Sequence, residues 1–169
     1  MQGERVLRGS ALYAQASMVN HGCLPTVARV DQFDADSPQR THLQLRALHA
    51  LPAGEEALLS YVPLHWPREA RQEQCRTVYE FDCSCPRCVC ECLEERGAAD
   101  SADARAAAGL EEGMTGTYIH IFLLKYVCTR PECFGTFVPV GQRADGLAVC
   151  NICGRERSEA QFLAELEAG

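Results

Sequence analysis

Two short stretches in the first part of the chain alternate apolar and polar residues. Residues 26–30 (TVARV) and 43–48 (LQLRAL) repeat with a period of two, as a strand with one buried face requires, and the mostly apolar residues 57–62 (ALLSYV) read as a third strand that ends at Pro63. Between the first two lies polar Asp31 to Arg40 with Ser37-Pro38, which reads as a turn or short insertion. Between the second and third lies Leu51-Pro52-Ala53-Gly54-Glu55-Glu56, so strand, turn and strand read as a hairpin. Upstream, Gly22 and Pro25 make Asn20-His21-Gly22-Cys23-Leu24-Pro25 a tight loop. The spacing then lengthens. Pro67 suits the start of a helix, and residues 68–79 form an amphipathic one with Ala70, Cys75 and Val78 inward. Glu94 to Gly113 is rich in Ala, Gly and acid and reads as a linker or a solvated helix. Residues 114–127 are apolar and β-branched, a buried strand or short helix. Glu156 to Glu167 reads as a closing helix with Phe162 and Leu163 inward. No internal repeat of fixed period is present.

Composition adds limits to this outline. At 169 residues and 47% apolar, the chain is long enough to bury a core. With 7% aromatics that core is expected to be mostly aliphatic. The net charge is −7, the wrong sign for a surface that grips phosphates, so no direct nucleic-acid binding is expected. It suits a basic partner such as a lysine-rich tail. Arginine supplies nearly all the positive charge, because Lys125 is the only lysine. No apolar run approaches the ~20 residues of a membrane span, and Met1 to Ser10 lacks the apolar core of a signal peptide. The expected setting is therefore intracellular, in nucleus or cytoplasm, where clustered cysteines hold metal more often than they form disulfides.

Eleven cysteines are present, and ten fall between Cys75 and Cys153. Cys128-x4-Cys133, then sixteen residues, then Cys150-x2-Cys153 is zinc-ribbon spacing: two turns bring four thiolates to the corners of a tetrahedron. The intervening FGTFVPVGQRADGLAV has two apolar arms about a polar GQRADG turn. Without metal so small a module would lack a core. The other set, Cys83-x-Cys85-x2-Cys88, supplies three ligands. Spacing leaves the fourth open among Cys90, Cys92 and the distant Cys23.

In order along the chain stand Asn20-His21-x-Cys23-x-Pro25, then Gly54-Glu55-Glu56 with Ser60-Tyr61, then Phe81-x-Cys83-x-Cys85-x2-Cys88. This ordered trio resembles SET-domain protein lysine methyltransferases, and is most similar to the SET and MYND domain family. The likeness covers roughly residues 10–92 well and the rest loosely. It implies S-adenosylmethionine as cofactor, methyl transfer to a lysine amine, and a protein substrate such as a histone tail. It implies Asn20, His21 and Phe81 as cofactor contacts and Tyr61 as the active-site tyrosine. It also implies Cys23 as the fourth ligand beside Cys83, Cys85 and Cys88, giving two structural zinc sites with Cys128, Cys133, Cys150 and Cys153 as the second. Cys75, Cys90 and Cys92 are assigned to packing, and His42, His49, His65 and His120 to structural roles.

The implied fold is mostly β with short helices, a partial SET-domain β fold plus a small C-terminal zinc ribbon. Residues 1–66 would be the C-terminal part of the SET domain, 67–93 a helix and post-SET zinc segment, 94–113 a linker, and 114–169 a ribbon-like module with a terminal helix. Two departures from the family pattern stand out. Thr26 occupies a position where the family typically has asparagine. The Gly-rich cofactor loop of a SET domain's first strands has no counterpart ahead of Asn20, and no MYND zinc motif is present. The chain is therefore expected to be the C-terminal part of a longer enzyme. The alternative reading is a catalytically inactive, zinc-dependent protein-interaction module derived from a SET domain. No phosphate loop, HExxH or GxSxG points to another chemistry.

Overall fold

The structure, a computed structural model, describes residues 11–31, 42–141 and 145–168. Met1 to Ser10, most of the segment expected as a turn or insertion, and the middle of the ribbon's GQRADG turn lie outside the described residues. After a short 3-10 turn at Ala16–Met18 come β1 (Asn20–His21), β2 (Val27–Asp31), β3 (Leu43–Ala47) and β4 (Leu58–Leu59). Then follow helices α1 (Arg68–Tyr79), α2 (Pro86–Glu95), α3 (Ala102–Ala107) and α4 (Gly116–Tyr126). Strands β5 (Phe137–Pro139), β6 (Ala148–Cys150) and β7 (Glu156–Arg157) precede α5 (Glu159–Ala168). Short helices on small sheets, with two four-cysteine clusters, fit a partial SET fold carrying a zinc ribbon.

The expected hairpin between the second and third strands does not form. β3 pairs antiparallel with β2, from Val27 opposite Ala47 to Asp31 opposite Leu43. β4 instead pairs parallel with β1, Asn20 opposite Leu58 and His21 opposite Leu59. Thr26 is the physical reason. Its N–H donates to Leu58 O at 2.9 Å and its Oγ1 accepts from Leu58 N–H at 2.8 Å and donates to Glu56 O at 3.2 Å. Gly22 N–H adds a bond to Leu59 O at 3.1 Å. The backbone of residues 56–59 is thus engaged by the 20–26 loop and does not fold back onto β3. The Pro52-x-Gly54 turn does form, with Gly54 at φ +91, but it passes from one small sheet to another.

The helices start where their caps dictate. α1 follows Pro67, carries Glu69 in its first turn, and stops at Glu80, which is left-handed at φ 60. Pro86 occupies the first turn of α2. The side chains of Ser101 and Thr115 accept from Ala104 and Tyr118 N–H to open α3 and α4. Ser158 and Gln161 cap α5 reciprocally, side chain to backbone in both directions. Residues 114–127 thus resolve to the helical alternative. Two inward assignments fail: Val78 is 56% and Leu163 47% exposed. In α1 the buried positions are Arg71 and Cys75, because what that helix faces is a cluster of thiols rather than a carbon core.

The described residues bury three small clusters. One is carbon: Ala28, Leu48, Leu64, Phe122, Tyr126 and Val138, joining β2, α4 and β5. The other two are built on sulfur. Cys23, Cys75, Cys83 and Cys88 pack with Val62 in one, and Cys128 and Cys150 with Phe137 in the other. Metal coordination in such clusters would supply what their few apolar side chains cannot. No described helix is long and apolar enough to cross a membrane.

Candidate metal centres and an adjoining aromatic cluster

The sulfurs of Cys23, Cys83, Cys85 and Cys88 all lie within 4.8 Å of one another. Cys23 Sγ is 3.9 Å from Cys83 Sγ and 3.6 Å from Cys88 Sγ. A zinc tetrahedron with Zn–S of ~2.3 Å requires sulfurs about 3.8 Å apart, so the set fits that ion. The loop after β1 brings Cys23. The extended stretch after the left-handed Glu80 brings Cys83 and Cys85, and the first turn of α2 brings Cys88. Gln72 of α1 fixes Cys83 by its backbone, donating to the carbonyl at 2.6 Å and accepting from the N–H at 3.1 Å. The four thiols share protons strongly. Hydrogen bonding to Cys23 and Cys83 lowers Cys88 to about 7 and drives Cys85 far below its ordinary value, while the same contacts push Cys23 far up. Cys90 donates to Met114 O at 3.8 Å and Cys92 is half-buried; neither joins the set.

A buried ionic frame surrounds this centre. Arg71, fully buried, donates from Nε to Cys23 Sγ at 3.3 Å and from Nη2 to Cys88 Sγ at 3.7 Å. Its Nη1 donates to Trp66 O at 2.6 Å, and Nη2 also pairs with Glu91. Arg87, 3% exposed, holds the other Glu91 oxygen at 2.8 Å and donates to the carbonyls of Leu64 and Cys23 at 2.8 and 3.3 Å. Neither arginine was singled out in the sequence. One signal was available: Arg71 sits four residues before buried Cys75, on the same face of α1.

The second set, Cys128, Cys133, Cys150 and Cys153, also lies within 4.8 Å throughout. Cys128 to Cys153 and Cys133 to Cys150 are each 3.7 Å apart, again zinc-like. Strands β5, β6 and β7 form the three-stranded antiparallel ribbon that carries it. Backbone amides reach these sulfurs: Arg130 N–H toward Cys128, Ile152 and Cys153 toward Cys150, Arg155 toward Cys153. Burial works against the Cys153 thiolate, yet the Arg155 amide and its neighbours bring it down to about 6. Gly135 is obligatory, because a Cβ there would stand 2.4 Å from Cys150 Sγ. The ribbon docks on the β2–β3 sheet and on the segment before α1. Asn151 Nδ2 donates to Arg29 O at 2.7 Å, and Phe134 stacks on His65 at 5.0 Å.

His21 links the first centre to three further rings. Its Nδ1 accepts from Tyr61 N–H at 3.0 Å, so the ring proton sits on Nε2 and points to Cys23 Sγ at 3.3 Å. Burial is the main cause that lowers the His21 pKa, with Arg71 adding to it, and the ring stays neutral. It lies 5.1 Å from Tyr61 and 5.7 Å from Phe81. Tyr79, another residue not anticipated, lies 4.9 Å from Tyr61 and 6.5 Å from Phe81. Tyr61 donates its hydroxyl proton to Val19 O at 2.6 Å, and burial, with Tyr79, raises its pKa. Asn20 is exposed and donates to Glu56 at 2.6 Å. The structure thus brings together Asn20, His21, Cys23, Tyr61 and Phe81, which come from three separated segments. The histidines at 42, 49, 65 and 120 enter neither thiol cluster.

The four-cysteine set, the turn that carries Cys23 and the ring cluster at Tyr61 stand together as the ordered motifs led one to expect, and comparison of the sequence finds relatives of that kind. The resemblance to SET-domain methyltransferases of the SET and MYND domain type is borne out by several curated relatives. Over 181 aligned positions the chain is 28% identical to the histone-lysine N-methyltransferase ASHR2 of Arabidopsis thaliana, covering 92% of this chain and 46% of that protein. It is 38% identical over 80 residues to the histone-lysine N-methyltransferase SMYD3 of Mus musculus, which is 47% of this chain and 17% of that protein. Human N-lysine methyltransferase SMYD2 is 32% identical over 81 residues, 48% of this chain and 17% of that one. The chain therefore spans about half the length of ASHR2 and about a sixth of the SMYD proteins. No family model matches it.

Proposed function

We propose that this chain forms part of an S-adenosylmethionine-dependent protein-lysine N-methyltransferase, contributing its tyrosine and its post-SET zinc closure. The observation that carries the reading is the bridge from Cys23 through His21 to Tyr61. One neutral imidazole hydrogen-bonds a metal-site sulfur on one side and the backbone of the tyrosine on the other. In this reading the zinc does more than staple a tail: it fixes the tyrosine.

The bound cofactor would supply an electrophilic methyl on a sulfonium. Asn20, His21 and Phe81 are the residues offered to it, and the half-buried Phe81 ring presents a flat apolar face of the kind a purine stacks on. Tyr61 would do the orienting. Its proton is committed to Val19 O, which leaves the oxygen's lone pairs to hold a neutral lysine amine in line with the methyl. Its raised pKa keeps it a phenol at neutral pH, so it positions the amine without competing as a base. As the new N–C bond formed, the sulfonium's bond to that methyl would break and leave a neutral thioether, and the methylated amine would then give a proton to water. The substrate would be a lysine-bearing protein, a histone tail or another, met in the nucleus or cytoplasm where eight thiolates survive unoxidised.

The test is methyl transfer from labelled S-adenosylmethionine to core histones and to a lysine-rich protein mixture, using the full-length protein. Tyr61→Phe is expected to slow transfer by about 100-fold, on the scale of removing one oriented transition-state contact. An unchanged rate overturns the role of Tyr61. No transfer and no calorimetric heat with S-adenosylmethionine would favour the non-catalytic interaction module.

A further inference from the structure

We infer that Arg71 is a built-in counter-cation for the Cys23–Cys83–Cys85–Cys88 centre, setting how firmly that centre, and not the ribbon, holds its zinc. The inference rests on the zinc reading of the first cluster and adds a positioning residue to it.

The argument begins with charge. A fully buried guanidinium is costly unless anions face it. Arg71 and Arg87 are both buried, and they share the single carboxylate of Glu91. One positive charge is left over. A zinc ion with four thiolates is a dianion, and it lies directly against that surplus. Geometry agrees in detail. Every nitrogen of Arg71 has a partner: Nε meets Cys23 Sγ, Nη2 meets Cys88 Sγ and Glu91, and Nη1 meets Trp66 O.

The division of labour among the sulfurs points the same way. Cys83 and Cys85 receive backbone amides, from Cys85 and Cys88 respectively. The sulfurs that Arg71 serves are the other two, Cys23 and Cys88. Cys23 arrives on a loop some sixty residues away from its partners in sequence, so α1 supplies a donor by side chain instead. In the ribbon, by contrast, amides of Arg130, Ile152, Cys153 and Arg155 reach the sulfurs. The buried arginine nearest the ribbon's core, Arg157, faces elsewhere. It lies 4.1 Å over the Phe137 ring and donates to the carbonyls of Leu124 and Lys125 and to Glu165. Because Cys23 also receives His21 Nε2–H, Arg71 fixes the sulfur that orients the histidine under Tyr61.

Zinc-bound thiolates resist alkylation, so N-ethylmaleimide labelling mapped by peptide mass spectrometry reads each centre separately in one chain, with the ribbon as internal reference. Two variants are compared with the natural chain, and zinc content is measured for all three. Arg71→Met keeps bulk and removes charge; Arg71→Lys keeps charge but cannot span two sulfurs. In Arg71→Met, labelling of Cys23, Cys83, Cys85 and Cys88 is expected to accelerate at least tenfold relative to the ribbon set, with Arg71→Lys intermediate. With cobalt(II) in place of zinc, the sulfur-to-metal charge-transfer band of the first centre should move to lower energy in Arg71→Met, since thiolates that lose hydrogen bonds donate more strongly. A first set that labels no faster than the ribbon set in both variants, or both sets accelerating equally, overturns the inference and reduces Arg71 to packing. A natural chain holding no zinc would instead overturn the metal reading beneath it.

Discussion

The two thiolate clusters have nearly the same sulfur geometry and are built by opposite means. The ribbon gathers its ligands within 26 residues, on hairpin turns whose own amides face the sulfurs. The first centre reaches 65 residues from Cys23 to Cys88, and side chains from α1 and α2 provide its frame. Loop closure alone makes the longer span costlier, by about 0.8 kcal/mol on a logarithmic dependence of entropy on loop length. The larger difference is dependence. The ribbon needs only its own turns, whereas the first centre needs β1, β4, α1 and α2 in place together. A local zinc staples a module; a distant one reports on, and enforces, the assembly of the site around it.

The largest effect that tests this contrast comes from Cys23→Ser. Native mass spectrometry should find two zinc ions in the natural chain and one in the variant, with the ribbon filled. Zinc binding in small zinc peptides contributes on the order of 10 kcal/mol, so the region from β1 to α2 should lose its cooperative unfolding transition. Cys150→Ser should do the reverse, emptying the ribbon while the Cys23 centre keeps its ion. Two zincs in Cys23→Ser would mean that the first centre closes locally and that the contrast fails.

Gly135→Ala breaks the comparison from the other side. Its new Cβ would stand 2.4 Å from Cys150 Sγ and 3.0 Å from Ile152 Cβ, and a metal-bound sulfur cannot yield. Overpacking of this kind costs about 3 kcal/mol. Thermal unfolding should report it, together with faster labelling of the four ribbon cysteines and unchanged labelling at Cys23. Equal damage at both centres would show that they are energetically one.

The contrast also explains what could be read from the chain. The ribbon's ligands were legible from spacing because its geometry is local. Cys23 was not; spacing left it level with Cys90 and Cys92, and only the ordered likeness to a SET domain selected it. The strand positions at 26–30 and 43–48 were readable within a residue or two, since period two needs no partner. Their pairing was not. Which strand meets which depended on Thr26 occupying the hydrogen bonds of residues 56–58, a side-chain detail outside any periodicity. The same limit hid Arg71. An amphipathic reading of α1 sought carbon and chose Val78, while the helix faces thiolates and buries a cation. How a centre made by tertiary contact is framed becomes visible only once its partners are placed.

The smallest expected effect asks whether the two centres unfold as one. Tyr126, at the end of α4, donates its hydroxyl to Leu48 O at 2.9 Å inside the carbon cluster that joins β2, α4 and β5. Tyr126→Phe removes that bond and leaves a buried carbonyl, at a cost of about 1 kcal/mol. Burial, with Tyr118 and Glu159, pushes the Tyr126 pKa up to about 12. In the unfolded chain the phenol ionises near 10, so the unfolded form releases its proton first as pH rises. The stability this residue contributes is therefore complete below pH 10 and is lost between about 10 and 12. Urea melts followed by labelling at both cysteine sets should show a natural chain that weakens across that window. In Tyr126→Phe this contribution to the alkaline slope should be gone. If the carbon cluster couples the centres, the variant should also separate their labelling midpoints, the Cys23 set moving to lower urea while the ribbon stays. Midpoints that shift together would mean the coupling runs through the Asn151–Arg29 and Phe134–His65 contacts instead.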